Sequence, residues 1–280
     1  MSFLSKVLPV IVLYGQDFTN SHSIVVLDSY ISDKSVLIDL FVYDNSPECK
    51  YEEQFRYHNF NVRYIHDPSN AGVSKAYNSG ANYARAKSKE WILLLDQDTE
   101  FPANYIDSYE HAVKKNSGVN LFAPVLKTKS DQIMSPCRYF HKRGYWLKEI
   151  PGGNMDAEDY SPVNSGMLIN LKAFFEVGGY NEKVKLDFAD FQFVERYSKV
   201  YGNFHVIDLI CIQDFSGFEK DFDKLKHRFA FFCQGAKNCD RNNFSDRWWY
   251  FLAVFRRMAG LVLRTRSFSF VPIFFQNYIT

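Results

Sequence analysis

Four short apolar runs, each ending abruptly in polar residues, set what this chain can fold into. The first is Val7 to Tyr14 (VLPVIVLY), followed by the polar loop Gly15 to Asn20. Ser21 to Ile31 then shows helical spacing through Ile24, Leu27 and Ile31. Val36 to Ser46 (VLIDLFVYDNS) is the second β-rich run and Asn61 to Asn70 (NVRYIHDPSN) the third, with a helix predicted from NAGVSKAYNSGANYARA after it. The fourth, Trp91 to Leu95, runs straight into Asp96-Gln97-Asp98. Strand, helix, strand at this interval predicts βαβ units and an α/β fold with a mostly parallel sheet. In such sheets ligands bind outside the C-terminal strand ends. Tyr14, Asp44 with Asn45, and Asp96 to Asp98 all fall there, so they are read as one site.

Beyond residue 100 the pattern loosens. A helix is predicted over Tyr105 to Lys115 and a strand over Leu121 to Lys127. Ser130 to Tyr160 reads as irregular, rich in Gly, Pro and aromatics. A strand at Met167 to Asn170, a helix, a turn at Gly178-Gly179 and a second helix follow, then a last strand in FHVIDLICIQDFSG. The expected division is a catalytic unit over residues 1–217 and a helical, basic, aromatic extension over 218–280.

Composition bounds the partners. Apolar residues make up 46%, ample for a core, and the net charge of +1 gives no global case for nucleic acid. The distribution is uneven: from Phe215 onward there are eleven Lys and Arg against five Asp and Glu, which leaves the first 214 residues near −5. Such asymmetry flags an anionic partner for the tail. Five cysteines without a CxxC pair argue against a disulfide framework or a zinc site and favour a reducing compartment. The N-terminal apolar run is short and lacks a small-residue cleavage site, so it is read as a strand and not as a signal peptide. No stretch offers about eighteen uninterrupted apolar residues, so no membrane-spanning helix is expected.

Three constellations carry chemistry. Asp96 and Asp98 alternate around Gln97, and in extended geometry i and i+2 point to one side. Two adjacent carboxylates repel unless a cation sits between them, and hard divalent ions take oxygen ligands; a solvated turn is the plainer alternative. Asn70, Gly72, Asn78 and Gly80 stand at a strand-to-helix junction whose N–H groups suit phosphate or ribose oxygens, or which is an ordinary helix start. Asp187 and Asp190, spaced i, i+3, are expected on one helical face. One of them would take a proton from a hydroxyl, unless both are solvated acids at a helix start.

Residues from about 8 to 217 resemble a family 2 glycosyltransferase of the GT-A fold. The matching pieces occur in that family's order: VLY, YDNS, NAGVSKAYNSGANYA, LLLDQDTEFPANYI, NSGMLI and GGYNEKVKLDFADFQFVER. The DQD form and the NSG before MLI are similar to the bacterial rhamnosyltransferase branch. The resemblance implies an inverting transferase with a nucleotide-diphosphate sugar donor, of which dTDP-rhamnose is the suggested one. It implies a glycan or lipid-linked acceptor in surface polysaccharide synthesis, and Mg²⁺ or Mn²⁺ as cofactor. Carried over by motif, Asp98 is the metal ligand with Asp96 beside it, and Tyr14, Asp44 and Asn45 line the nucleoside pocket. Asn70, Gly72 and Lys75 sit by base, ribose or phosphates, and Gln97 lies within the same motif. Asn164, Ser165 and Gly166 line the donor-sugar or acceptor side. Asp190 is the base, with Asp187 as neighbour and weaker candidate.

The chain departs from that pattern in places. Many relatives carry a metal-holding His before FSG; here the stretch is IQDFSG, so Gln213 or Asp214 takes the place, and Asp214 is the candidate oxygen ligand. Ala189 stands where an acid often precedes the base, and Gln192 replaces another acid. Two other readings compete. LLLDQDTE also fits haloacid-dehalogenase phosphatases with Asp96 as nucleophile, although these place the motif on the first strand and need a Gly-Asp-x-x-x-Asp pair. A non-catalytic, membrane-associated assembly partner with a decayed transferase fold is the second. In the tail, Trp248, Phe251, Leu252, Phe255, Met258 and Ala259 recur at helical spacing among Arg247, Arg256, Arg257, Arg264 and Arg266. That predicts a helix lying on an anionic membrane, or one packed on the catalytic unit or on a second subunit of a homo-oligomer. The expected location is cytoplasmic, free or on the cytoplasmic face of the inner membrane.

Overall fold

The computed structural model describes residues 2–150, 152–213 and 221–280. A short helix α1 (Phe3–Lys6) leads into β1 (Val7–Leu13), and α2 (His22–Asp33) connects it to β2 (Ile38–Asp44). A hairpin of β3 (Gln54–Tyr57) and β4 (Phe60–His66) follows, then α3 (Val73–Ala86), β5 (Trp91–Asp96), β6 (Thr99–Glu100), α4 (Tyr105–Lys115) and β7 (Leu121–Lys127). Next come β8 (Ile133–Phe140), β9 (Arg143–Leu147), β10 (Gly153–Asp156), β11 (Tyr160–Ser161) and β12 (Leu168–Asn170). The chain continues through α5 (Leu171–Glu176), α6 (Ala189–Tyr201) and β13 (Asn203–Gln213), and ends in α7 (Phe222–Asn238), α8 (Phe244–Thr265) and α9 (Phe270–Phe274).

The expected mixed, mostly parallel sheet is present. Its central order is β10-β13-β7-β12-β5-β1-β2-β4-β3, with β5, β1, β2 and β4 parallel and β12 antiparallel to both neighbours. The unbroken apolar runs follow from a sheet covered on both faces. Alternate residues of β1 go to opposite layers: Leu8, Val10 and Val12 to one hydrophobic cluster, Val7, Ile11 and Leu13 to the other. β5 does the same, with Ile92 and Leu94 on one side and Trp91, Leu93 and Leu95 on the other. The layer under α3 also takes in Leu225, Phe229, Tyr250, Val254 and Phe270, so α7 to α9 share one core with the sheet.

The 130–160 stretch is not irregular: it holds β8 to β11. β8 and β9 pair up to Phe140 opposite Arg143, so the connection is the two residues His141 and Lys142, both in the left-handed region (φ 52 and 59). A tight hairpin turn of this hand is normally announced by Asn-Gly or Asp-Gly. Here tertiary contacts hold it instead. Lys142 pairs with Glu195 (2.5 Å) and Asp246 (3.1 Å), and His141 stacks on Trp249. The β3–β4 hairpin likewise makes β5 the fifth strand in chain order, not the fourth.

Candidate active site

The parallel register sets Val12 opposite Asp96, Leu13 opposite Asp44, and Asp44 opposite His66, so these strand ends share one edge of the sheet. β5 ends at Asp96, and Gln97-Asp98 form a turn before β6, so the pair is not fully extended. A short antiparallel pairing of β6 with the end of β13 sets Gln213 opposite Thr99. From there the Gln213 amide donates to Asp96 Oδ2 (3.1 Å) and to Asp98 Oδ1 (3.2 Å). The Tyr77 hydroxyl donates to Asp96 Oδ1 (3.1 Å). Burial first, and the charge of Asp98 second, push the Asp96 carboxyl up to about 6, against the pull of these two donors. Gln97 points the other way: it accepts from the Tyr14 N–H (2.9 Å) and donates to the Tyr14 carbonyl (3.3 Å), clamping the ends of β1 and β5 together. The Tyr14 ring is exposed beside that clamp.

Asp44 is buried, its oxygens taken by the Ser46 N–H (2.8 Å) and the Tyr64 hydroxyl (2.7 Å). The buried Asn45 accepts from the Gly72 N–H (3.4 Å). Lys75 is engaged with Asp67 (2.9 Å), which also accepts from the Tyr43 hydroxyl (2.6 Å). Although burial raises it, hydrogen bonds from Ser69, Tyr43 and Lys75 hold the Asp67 carboxyl well below the usual range. Asn70 has φ 48, and its carbonyl accepts from Lys185 Nζ (3.4 Å). The expectation of free N–H groups at the start of α3 needs correction. The Val73 N–H donates to the Lys185 carbonyl (2.8 Å) and the Ser74 hydroxyl to the Val184 carbonyl, so residues 184–185 cover that helix end.

The NSG segment sits against the same edge. Asn164 Oδ1 accepts from the Tyr180 hydroxyl (2.7 Å), Ser165 shares a hydrogen bond with Thr99 (2.7 Å), and the Gly166 N–H donates to the Leu94 carbonyl (2.8 Å). The Tyr180 ring lies 5.3 Å from Tyr77, which completes a path from Asn164 to Asp96.

Asp187 and Asp190 do not share a helical face. α6 starts at Ala189, and its cap residue Phe188 is left-handed (φ 72), so Asp187 lies in the turn before it. A bulky residue in that region costs about 1–3 kcal/mol and persists only where its surroundings enforce it. The buried Phe188 ring packs on Phe232 of α7 and Tyr250 of α8. Gly235 of α7 approaches so closely that a Cβ there would lie 2.6 Å from the Asp187 carbonyl. The C-terminal helices therefore hold this turn in place. Asp187 accepts from Arg228 (3.5 Å), while its Oδ2 is buried with no partner. Asp190 accepts from the Phe191 N–H (2.8 Å). Burial chiefly, with the charges of Asp187 and Asp96 adding to it against local backbone hydrogen bonds, pushes the Asp190 carboxyl up to about 7. A carboxyl poised there can exchange a proton at neutral pH.

Residues 26–162 match the sequence family described as glycosyl transferase family 2. The matched segment is that of a family 2 glycosyltransferase, and the α/β fold is that of the GT-A enzymes. The chain is 25% identical over 122 residues to the dTDP-rhamnosyl transferase RfbF of Shigella flexneri; that stretch is 43% of this chain and 41% of the relative, so the match spans less than half of either. Among solved structures it is similar to S. aureus TarS 1-349 in complex with UDP-GlcNAc, with a TM-score of 0.56 at 13% identity, covering 97% of this chain and 79% of that one. TarS 1-349 without a named ligand gives 0.52 at 12% identity, covering 89% and 71%. The fold is thus shared well beyond sequence similarity. The matched segment contains Asp96 and Asp98, and the match is to a glycosyl transferase family, not to a phosphatase family.

Asp96 and Asp98 face one amide donor, and the other atom of that amide, Gln213 Oε1, is buried with no partner. The two carboxylates fit the oxygen donors that Mg²⁺ or Mn²⁺ takes, and the amide oxygen would join them only with the Gln213 amide turned over, since Nε2 now faces them. Among the described residues no group of three His, Cys, Asp or Glu could hold a metal. Asp214, the candidate extra ligand, lies outside the described residues. Gln192 is buried with both polar atoms unpartnered, in the first turns of α6 beyond Asp190. Sequence reasoning passed over Tyr77, Tyr180 and Asp67.

Gln213→Ala removes the donor shared by two carboxylates. The metal-free protein is expected to lose about 1–3 kcal/mol at neutral pH, read as a lower Tm. The deficit shrinks as the pH falls, because Asp96 takes up its proton and the repulsion fades. An equal deficit at all pH values would contradict this account.

Proposed function

We propose that this protein is a glycosyltransferase that moves a sugar from a nucleotide-diphosphate donor to a hydroxyl of a glycan or lipid-linked acceptor, with inversion at the anomeric carbon. The observation that carries the reading is the pair of acidic groups held apart in one region. Asp96 and Asp98 share Gln213 at the sheet edge, and Asp190 is close enough for the Asp96 charge to raise it. Tyr77 and Tyr180 are near both, for the charges of Asp96 and Asp190 both act on each phenol. Asp190 accepts the proton of the acceptor hydroxyl as its oxygen bonds to the anomeric carbon and the bond to the diphosphate breaks. Charge develops on the ring through an oxocarbenium-like state. Asp98 and Asp96 would hold Mg²⁺ or Mn²⁺, which when bound neutralises the departing diphosphate. Tyr14, Asn70 and the Asp67–Lys75 pair border the nucleoside side, and Asn164 to Gly166 the sugar side. Similarity to a dTDP-rhamnosyl transferase supports dTDP-rhamnose as the first donor to try.

The test is a panel of nucleotide sugars assayed for binding and transfer with and without Mn²⁺, followed by a pH profile on the donor that turns over. Asp190 must be ionised to accept a proton, so kcat/KM is expected to fall about tenfold per pH unit below about 7. A profile flat from weakly acid to weakly basic pH would remove Asp190 from that role. Donor binding without transfer to any acceptor would favour the assembly-partner alternative.

A further inference from the structure

The stretch from Arg247 to Thr280 contains five arginines and no aspartate or glutamate. α8, which starts just before it at Phe244, is apolar on two opposite faces. Tyr250, Ala253, Val254, Met258 and Leu261 are buried against the rest of the chain. Phe244, Trp248, Phe255 and Leu263, spaced by four, seven and eight residues, lie on the other side. Phe244 is 82% exposed and Leu263 80%. The Trp248, Phe251 and Phe255 rings stack in a row at 5.8 and 6.0 Å, and Phe255 reaches Phe274 at 6.4 Å. Beside Phe274 the exposed Phe275 and Ile279 extend the surface past α9. Arg247, Arg256 and Arg264 border the row on α8.

We propose that this outer face of α8 and α9 docks on an anionic lipid bilayer, lying in the headgroup plane. A soluble surface rarely exposes a contiguous aromatic patch of this kind without a partner. Charge decides which partner. A second copy seated here would set arginines against arginines, since nothing from 247 to 280 is acidic. The one acid of α8, Asp246, is committed to Lys142 (3.1 Å). Anionic headgroups supply the missing negative charge, while aromatic rings and leucine enter the boundary with the acyl chains. The helix lies on the bilayer and does not cross it: among the described residues no helix is long and apolar enough to span a membrane.

The test uses the full chain, because α7 and α8 are part of the core. Its co-sedimentation is measured with vesicles of phosphatidylcholine alone and with about a third phosphatidylglycerol added. Binding to the mixed vesicles is expected to be at least ~10-fold tighter and to weaken with salt. Arg247→Glu and Arg256→Glu should each weaken it by about 5-fold or more. Trp248→Ser with Leu263→Ser should weaken it by at least ~10-fold, with an unchanged Tm because both side chains are exposed. Equal affinity for neutral and anionic vesicles, no binding to either, or variants that bind as the parent does would each overturn the proposal. Self-association lost in the same variants, without vesicle binding, would give the face to a second copy and overturn it as well.

Discussion

Asp190→Asn is expected to lower transfer by about 10²–10⁴-fold, the usual worth of a positioned general base, while making the protein more stable at pH 8. Both effects come from one property. Burial raises the Asp190 carboxyl to about 7, above the 3.8 of an unperturbed aspartate. Between those values the folded chain holds a proton that the unfolded chain has released, so stability falls as the pH rises through that window. At pH 8 the fold carries a poorly solvated carboxylate, at a cost on the order of 4 kcal/mol as an upper bound. Asparagine has the same shape and no charge. Its Tm should therefore exceed that of the parent by several degrees at pH 8 and match it near pH 4. Thermal melts across pH, with initial rates on the same samples, read both at once. A variant that keeps full turnover, or melts with the parent at pH 8, would show that the residue is neither the base nor strained by its surroundings.

Gly72→Ala is expected to be the most damaging exchange of a single hydrogen for a methyl group in the donor-side region. Gly72 has φ 90, and a Cβ there would stand 2.2 Å from the Lys185 carbonyl oxygen and 2.7 Å from Lys185 Cβ. The same carbonyl accepts from the Val73 N–H at 2.8 Å. The obstacle is backbone, so no rotamer change relieves it. Strain at the positive φ and displacement of residues 184–185 together should cost about 3–5 kcal/mol, or roughly 10 °C in Tm. Because residues 184–185 lead directly to Asp187 and Asp190, transfer should fall in whatever protein remains folded. Gly118→Ala is the control: φ is 99 there but nothing lies within 4 Å, so only the conformational strain of about 1 kcal/mol remains. Equal melting of the two variants would refute the close-contact explanation.

The parallel half of the fold was legible because its strands are buried on both faces and read as unbroken apolar runs; β1, β2, β5 and β7 lie where those runs predicted. The β8–β9 hairpin was not, since His141 and Lys142 give no turn signal and their geometry rests on Glu195, Asp246 and Trp249, all distant in sequence. The strand-end aspartates were visible from the sequence. The two-residue β6 was too short to read, and it is the β6–β13 pairing that delivers Gln213 to them. The i, i+3 expectation for Asp187 and Asp190 failed on one residue, because Phe188 is left-handed only by virtue of α7 and α8. In α8, helical period alone could not choose between two apolar faces. The predicted stripe therefore mixed exposed Trp248 and Phe255 with buried Met258.

Gln213 hangs from a backbone ladder and meets Asp96 and Asp98 only through the end of its side chain. The codons of glutamine lie one base away from those of histidine and glutamate. Point mutation can therefore offer selection a neutral amide, an imidazole or a third carboxylate at this place while every strand keeps its register. If the proposed divalent ion sits there, its preference is an evolvable trait separable from the architecture, and lineages that meet scarce or abundant divalent ions can diverge there without first rebuilding the sheet.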